Sequence, residues 1–310
     1  MNRLGGLIVA ASNHEVNGSV SPLLEIGSIS LIKRMVLTFQ KAGVTDVVIV
    51  TGYESFAIEQ ELWDYGVIFL KNHEYLSSDK LASVKLGLRY LEDKCDRVFF
   101  ASVASPLFKA ITLQRLAEAN GAAVVPMKDG QKGHPILFDR EGMTFLNAFT
   151  GDGGVRAALE SMPDVVTVLV EDTGILRPSV PLEHMAVPSE EAVNEALIHP
   201  FLRITLEKEK AFFTSRAMLL LVLIDETHSV KSACDHMALS KGKAWAMINE
   251  LEAGLGYAVV ERRHGGKHGG NTELLPAGKK FLAKYRRFEQ AVRRYATESF
   301  FTIFSEFNEE

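Results

Sequence analysis

Residues 5–52 read GGLIVAASNHEVNGSVSPLLEIGSISLIKRMVLTFQKAGVTDVVIVTG. Two short apolar runs, Leu7–Ala11 and Asp46–Gly52, flank Ser28–Ala42, where apolar residues recur three and four apart. The runs suit buried strands and the spacing suits a helix, so the stretch predicts a strand, a helix and a second strand beside the first. The pattern continues outward. Val67–Leu70, Arg97–Ser102 and Ala122–Met127 read as further strands, and Tyr53–Asp64, Asp79–Leu91 and Thr112–Ala119 as further helices. Alternation of this kind predicts an α/β domain: a mostly parallel, doubly wound sheet with helices on both faces. Ligands of such sheets bind beyond the carboxyl ends of the strands, so chemistry is to be sought in the loops after the first and fourth strands.

The chain has 310 residues, room for two domains of roughly 100–200 residues each. From Thr167 onward the text becomes polar and proline-rich, with Pro178, Pro181, Pro188 and Pro200. This predicts a first domain over 1–187, a connector over 188–200 with a short helix at Ser189–Ile198, and a second domain over 201–310. A net charge of −5 argues against a polyanion partner, but the average hides an asymmetry. Residues 1–200 carry 17 basic and 25 acidic side chains, whereas 201–310 carry 17 and 14, and Lys241–Arg294 alone carries 12 and 5. An acidic part and a part with a basic stripe are expected to meet different partners.

The longest apolar runs, such as Ala217–Ile224, fall short of the ~20 residues that cross a bilayer. The apolar stretch after MNRLGG is too short for a signal peptide and reads as a first strand. A cytoplasmic protein with no membrane partner is expected. Cys95 and Cys234 lie far apart, which suits neither a disulfide framework nor a metal set and predicts two buried, inert thiols.

In the second domain, Arg203–Lys210 alternates like a strand. Helices are expected over Ser215–Glu226, Val230–Met237 and Lys241–Leu255, then a Gly-rich hairpin and a long helix from Pro276. Asp225–Gly256 has the layout of a helix-turn-helix. Ala233 and Met237 face inward, Leu239 turns the chain, Ser240 caps the third helix, and Ala244, Met247, Ile248 and Leu251 form its buried face. Lys241, Gly242 and Lys243 are then exposed at the end that enters the major groove in this motif. The Ser240 cap also sits among free amides suited to phosphate.

Tyr257–Leu275 reads as two strands joined by the tip RRHGGKHGGN, in which Arg262, Arg263 and Lys267 offer phosphate or minor-groove contacts. Taken singly, a charge run is a solvated face and a Gly pair a turn; the pieces in this order outweigh that reading. His264 and His268 lack a neighbouring Cys or carboxylate to complete a metal set. Leu282, Tyr285, Phe288, Val292 and Tyr295 fall at helical spacing before FFTIFSEF. A helix so apolar predicts a second subunit beside it, hence a homodimer.

The whole stretch from Met218 to Glu289 resembles the winged helix of the molybdate-responsive ModE-type regulators, related to the LysR type. The likeness rests on Ile224–Thr227 (IDET), Ser229-x-Lys231-x-Ala233, Leu239–Ser240 followed by Ala244–Trp245, Asn249–Leu251 (NEL), the GGKHGG tip and Pro276-x-Gly278. It implies a dimer that binds double-stranded DNA through Ser240, Lys241, Lys243, Arg262, Arg263 and Lys267, on half-sites one helical turn apart. Gly242 and Lys243 stand where the family usually has two basic residues, so base readout is expected to differ. No further oxyanion-binding module is expected downstream.

Residues 5–185 are similar to the MobA-like nucleotidyltransferases that build molybdenum cofactors. The landmarks are the opening stretch, Asn72–Leu88 (NHEYLSSDKLASVKLGL), Ser105–Leu116, Lys132–Phe138 (KGHPILF) and Gly151–Leu159 (GDGGVRAAL). The resemblance implies the fold, but the catalytic signatures are missing. The phosphate loop L-A-A/G-G-x-S-x-R-M-G-x-x-K is replaced by VAASNHEVNGSVS, with Ser12 for the Gly, His14 for the Ser, Val16 for the Arg and Ser21 for the Lys. The metal-binding G-D-x-P aligns with Val103–Pro106, placing Ala104 at the Asp, and Arg177–Pro181 replaces D-x-D-T-P. Each lost contact withdraws roughly 2 kcal/mol or more of charge stabilisation, so a retired enzyme without catalytic residues is expected.

What survives is part of a pocket: Ala10, Ala11, Ser12, Gly133, His134, Asp152, Gly153 and Arg156, of which His134 and Asp152 match family pocket positions. The resemblance implies a nucleotide or molybdopterin-related ligand as effector, no resident cofactor, and magnesium only if transfer survives. The expected function is a DNA-binding transcriptional regulator tied to molybdenum or molybdopterin metabolism, its first domain a ligand sensor or dimer scaffold. Two alternatives stay open: an active CTP- or GTP-dependent transferase with a fused DNA-binding tail, and an interaction module in which neither half keeps its ancestral activity.

Overall fold

Strands buried on both faces hold the first unit together, and their continuous apolar text is the signature of a parallel sheet covered on each side. In the computed structural model, which describes residues 3–14, 20–26, 29–44, 46–63, 65–178, 202–262 and 272–304, contacts divide the chain into two units, Met1–Leu197 and Ile198–Glu310. The expected connector over 188–200, with its helix at Ser189–Ile198, lies outside the described residues.

The first unit begins with β1 (Leu4–Ala10), a small hairpin of β2 (Glu25–Ile26) and β3 (Ile29–Ser30), and α1 (Leu31–Lys41). Then come β4 (Asp46–Thr51), α2 (Ser55–Leu62), β5 (Ile68–Lys71), α3 (Lys80–Leu91), β6 (Arg97–Ser102), α4 (Ala110–Glu118) and β7 (Ala123–Lys128). It ends with β8 (Gln131–Lys132), β9 (Ile136–Asp139), α5 (Arg140–Ala148), α6 (Gly154–Ser161), β10 (Val165–Leu169) and a 3-10 turn at Thr173–Ile175. The strand order is β10-β7-β9-β6-β1-β4-β5, with β8 beside β7. Pairing is parallel except where β9 runs against β6 and β7, and β8 against β7. The mostly parallel α/β sheet expected from residues 5–52 is therefore observed.

Local chemistry sets the boundaries. The first helix starts at Leu31, later than the periodicity suggests, because the Ser30 hydroxyl accepts from the Lys33 amide and so caps it. Leu31, Ile32, Met35, Val36 and Phe39 then face the sheet, each fully buried. α2 starts at Ser55 rather than Tyr53, since Glu54 takes a left-handed φ of 53°. α3 is capped by Asp79, whose carboxylate accepts from the Ala82 amide at 2.8 Å. Cys95 is buried and its thiol is pushed up to about 12, mainly by desolvation; Cys234 is buried too, and burial raises its pKa.

The second unit contains β11 (Leu206–Glu207), β12 (Ala211–Phe213), α7 (Ser215–Thr227), α8 (Val230–His236), α9 (Lys241–Leu255), β13 (Val260–Arg262), β14 (Thr272–Leu274) and α10 (Pro276–Ile303). One expectation needs correcting: Arg203–Lys210 is not a single strand. The chain turns at the four exposed charged residues Glu207–Lys210, so β11 and β12 pair antiparallel. α7 supplies the core, with Leu219–Ile224 all buried. Glu252 of α9 ties helix to hairpin by accepting from the Val259 and Val260 amides at 2.8 and 3.3 Å. Tyr285 of α10 is buried and donates to the Ile204 carbonyl at 2.7 Å. Further along α10, Phe288 and Tyr295 are exposed. Among the described residues no helix is long and apolar enough to cross a membrane.

Two glycines give a paired test of this packing. A Cβ on Gly142 would lie 1.9 Å from the Ala122 carbonyl oxygen, whereas one on Gly242 meets nothing within 4 Å. Gly142→Ala should lower the unfolding free energy by about 1–3 kcal/mol. Gly242→Ala should raise it by up to about 1 kcal/mol, since Ala is the better helix former. Urea denaturation followed by circular dichroism reads both.

Candidate functional site

The carboxyl ends of the central strands meet in one row. Val9 of β1 pairs with Val50 of β4 and Ser102 of β6, and Val50 pairs with Leu70 of β5. β9 runs against β6 with Ile136 opposite Phe100, which carries His134, two residues earlier, to the level of Ser102. The loops leaving this row hold the candidate residues. Ala10 and Ala11 are buried, and the Ala11 carbonyl accepts from the Tyr53 amide at 3.2 Å. Ser12 is exposed. His14 lies edge-on to the Tyr53 ring, with Nδ1 3.7 Å from a Glu54 carboxylate oxygen. Val16 lies outside the described residues.

The first turn of α3 supplies a residue that the sequence reading passed over. The Lys80 ammonium donates to Ser102 Oγ, and the same hydroxyl accepts from the Ala104 amide at 3.2 Å. Lys80 is an exposed residue, as is Arg177, yet desolvation of the Lys80 ammonium lowers its pKa, and the positive charge of Arg177 lowers it further. No carboxylate pairs with Lys80 or Arg177 among the described residues. Beneath them, Asn72 is buried and donates to Ser78 Oγ and Ser83 Oγ at 2.9 Å each, which fixes the loop leading into α3. The early signal for this cluster was a Lys directly after the Asp79 cap, hidden inside a landmark that was read for its family pattern only.

His134 is anchored by its backbone, its amide donating to the Ile175 carbonyl at 2.9 Å, and its ring meets the Phe100 ring edge-on at 5.2 Å. Its pKa falls from 6.5 to about 4, chiefly through desolvation and then through the Lys80 charge, with a hydrogen bond to the Phe100 backbone opposing. Nδ1 is buried without a hydrogen-bond partner. Asp172 is also buried; it accepts from the Lys109 amide, the Thr112 hydroxyl and the Gly174 amide at 2.7, 2.6 and 2.9 Å, and so acts as a clamp on the loop that ends at Arg177.

Other expected pocket residues do not join this cluster. Asp152 and Gly153 are exposed, Gly153 preceding α6 with a φ of 91°. Arg156 is 89% exposed and pairs with Glu160 at 3.1 Å along its own helix. Magnesium does not fit the residues present. Position 104 carries only a methyl group, and the hydroxyl beside it is taken by a lysine that a second cation repels. No cluster of three His, Cys, Asp or Glu side chains able to hold a metal occurs among the described residues.

In the second unit, Ser240 Oγ accepts from the Lys243 amide at 3.3 Å and begins α9, leaving Lys241, Gly242 and Lys243 exposed in the first turn. Ala233, Met237, Ala244, Ile248 and Leu251 are buried, while Met247 is only partly covered. Arg262 ends β13, whose pairing with β14 sets Val260 opposite Leu274. Arg263, His264, Lys267 and His268 of the hairpin tip lie outside the described residues, as do Ser179–Pro181 of the signature segment.

The half-buried histidine sets a pH dependence. A base whose folded pKa lies below its unfolded value stabilises the native state fully above the unfolded value and loses that contribution as pH falls. For His134 the window is pH 6.5 down to about 4. Between pH 7 and pH 5 the chain should lose about 2 kcal/mol of unfolding free energy from this group. Urea titrations of the parent and of His134→Gln at both pH values should show that much less loss in the variant.

A family model described as MobA-like NTP transferase domain matches residues 7–166. A curated relative, the molybdenum-pterin-binding protein MopB of Rhodobacter capsulatus, is 33% identical over 91 residues, 29% of this chain and 34% of that protein. The match falls in the carboxyl-terminal region, and the chain spans about a third of that relative's length. Among solved structures, Rv0371c of Mycobacterium tuberculosis H37Rv is 19% identical with a TM-score of 0.49, covering 55% of this chain and 88% of that one. A nucleotidyl transferase from Methanothermobacter, Mth528, is 21% identical with a TM-score of 0.47 over 55% of this chain and 88% of its own. With more than half of its length matched, the chain belongs to the MobA-like NTP transferase domain family.

Proposed function

We propose that the protein is a DNA-binding transcriptional regulator tied to molybdenum metabolism, in which the transferase-family domain serves as a sensor or dimer scaffold rather than as a catalyst. The observation that carries the reading is the capped start of α9: Ser240 holds the first turn while Lys241 and Lys243 stand exposed beside it. Three helices followed by an antiparallel pair, with Arg262 at its rim, supply the frame in which such a helix enters a major groove. The net positive balance of residues 201–310 favours a polyanion. The molybdenum link is supported by the family of the first domain and by the likeness to a molybdenum-pterin-binding protein.

Against catalysis stand Ala104 and Arg177, which occupy the positions at which the family resemblance expects metal-binding carboxylates. A homodimer and a cytoplasmic location go with this reading. The exposed Phe288 and Tyr295 on α10 offer the apolar face that a second copy would cover.

Fluorescence anisotropy on the protein's own upstream DNA and on genomic fragments tests the reading. Binding should weaken about tenfold or more between 50 and 200 mM salt. Replacing Arg262 and Arg263 by Ala should weaken binding evenly across sequences, whereas Lys241→Ala should change the preferred sequence. Absence of salt-sensitive binding to every fragment would count against the proposal. Incubated with CTP or GTP, magnesium and a pterin substrate, the protein should release no pyrophosphate above the uncatalysed rate. Steady release would instead favour the active transferase with a fused DNA-binding tail.

A further inference from the structure

The exposed side of α10 begins in a groove. Tyr257, just past the Gly256 cap of α9, and Ala277, Lys280, Phe281 and Lys284 of α10 line an open space of about 340 Å³. Its floor is aromatic and its rim cationic. Phe281 is held from behind by the Phe213 ring, edge-on at 4.9 Å, while Tyr257 is 43% exposed and both lysines are exposed. The neighbouring Lys279 is paired with Asp225 at 2.7 Å, but no carboxylate among the described residues pairs with Lys280 or Lys284. Lysines four apart on one helix repel each other until carboxylates join them. The groove lies at the end of α9 opposite the Ser240 cap, about 22 Å along that helix, and so is separate from the turn proposed to read DNA.

From the groove an apolar stripe runs along α10 through Phe288, Val292 and Tyr295, in steps of seven, four and three residues, toward the stacked rings of Phe300 and Phe304. Beyond it the sequence of Ser305–Glu310 reads SEFNEE, one aromatic ring among three carboxylates. That chemistry complements the groove, yet it cannot reach the groove of its own chain. Phe281 and Ile303 lie 22 residues apart on one continuous helix, roughly 33 Å, whereas the four residues from Ile303 to Phe307 span about 14 Å when extended. A second copy laid antiparallel removes the distance. With the crossing at position 294, Phe281 faces Phe307 of the second copy, Phe288 faces Phe300 and Val292 faces Ala296, and two-fold symmetry makes each contact twice. We propose that the groove of Tyr257, Lys280, Phe281 and Lys284 receives the acidic, aromatic segment Ser305–Glu310 of a second copy of this chain. Phe307 enters between Tyr257 and Phe281, and Glu306, Glu309 and Glu310 lie against the two ammonium groups. Exposed ion pairs add little affinity. Here they select the arrangement, since a parallel pair would set lysines against lysines and carboxylates against carboxylates. The clasp deepens the homodimer of the regulator reading and rests on it.

Sedimentation equilibrium of the full chain without DNA tests the clasp. The parent should dimerise, and more weakly at high salt. Two charge-reversed chains, Lys280→Glu with Lys284→Glu and Glu306→Lys with Glu309→Lys, should each dimerise at least tenfold more weakly. Lys208→Glu with Lys210→Glu, exposed lysines at the β11–β12 turn, should change nothing. Mixed in equal amounts, the two reversed chains should pair with each other at near-parental affinity, because every groove then meets a segment of opposite charge. Phe307→Ala should weaken the dimer and leave its salt dependence as it was. A monomeric parent, reversed chains that dimerise like the parent, or a mixture that gains nothing overturns the clasp. Loss of DNA affinity on reversing Lys280 and Lys284, with association unchanged, assigns those lysines to phosphate contacts and overturns it too. DNA binding by the parent, measured separately by anisotropy, keeps the two readings apart. Association without DNA binding sinks the regulator and leaves the clasp, and DNA binding with association indifferent to both reversals sinks the clasp alone.

Discussion

The position of β1 between β4 and β6 is the constraint on which the first unit depends. Leu7, Ile8 and Val9 are buried on both faces of the sheet, and each backbone group of the strand is used by a parallel neighbour. A one-residue slip would exchange the faces and break both ladders at once, so the register is closely specified. That register places Ser102 opposite Val9, and the antiparallel β9 then brings His134 to the same level. α3 is seated on the same strand: Gly87 lies so near Leu7 that a Cβ would come within 2.2 Å of its side chain. The close approach fixes the axis of α3, and with it the reach of Lys80 at the other end. The geometry of the candidate site is therefore a consequence of how one strand packs.

Because fold and chemistry rest on different residues, one can be lost while the other stays. The departures from the family's expected phosphate-loop and metal signatures fall at positions such as Ser12, His14, Ala104 and Arg177, none of which is among the large apolar side chains of the core. Where the family resemblance expects a metal carboxylate, Ala104 brings no charge that the protein would have to solvate. The frame is then no less stable for the loss, and selection on folding alone would not restore the carboxylate.

The sheet was legible in residues 5–52 because parallel strands buried on both faces are written as unbroken apolar runs, and the capped helices between them as three- and four-residue periods. Other features escaped that reading for physical reasons. β9 was not read as a strand because Ile136–Asp139 is short and follows a proline, and its antiparallel pairing is invisible to a crossover pattern. The charged turn at Lys208–Lys210 was read as strand because alternation of charge and apolar residues does not reveal where the chain reverses. Lys80 was missed because its partner Ser102 lies 22 positions away and only the folded sheet brings the two together. Ser240, by contrast, was legible as a cap, since capping is decided within four residues of sequence.

Charge distribution shows the same separation between local and distant information. Residues 1–200 are acidic on balance, which by itself suggests an anion-repelling domain. At a Debye length of about 8 Å, however, what a bound anion feels is the nearest few groups rather than the domain total. Exposed pairs such as Arg156–Glu160 and Lys128–Glu171 cancel locally and contribute little beyond their own surface. At the carboxyl edge of the sheet the charges of Lys80 and Arg177 add instead, and the Lys80 ammonium donates to the Ser102 hydroxyl. An acidic domain can thus keep a cationic point at the one edge of its sheet where the loops converge.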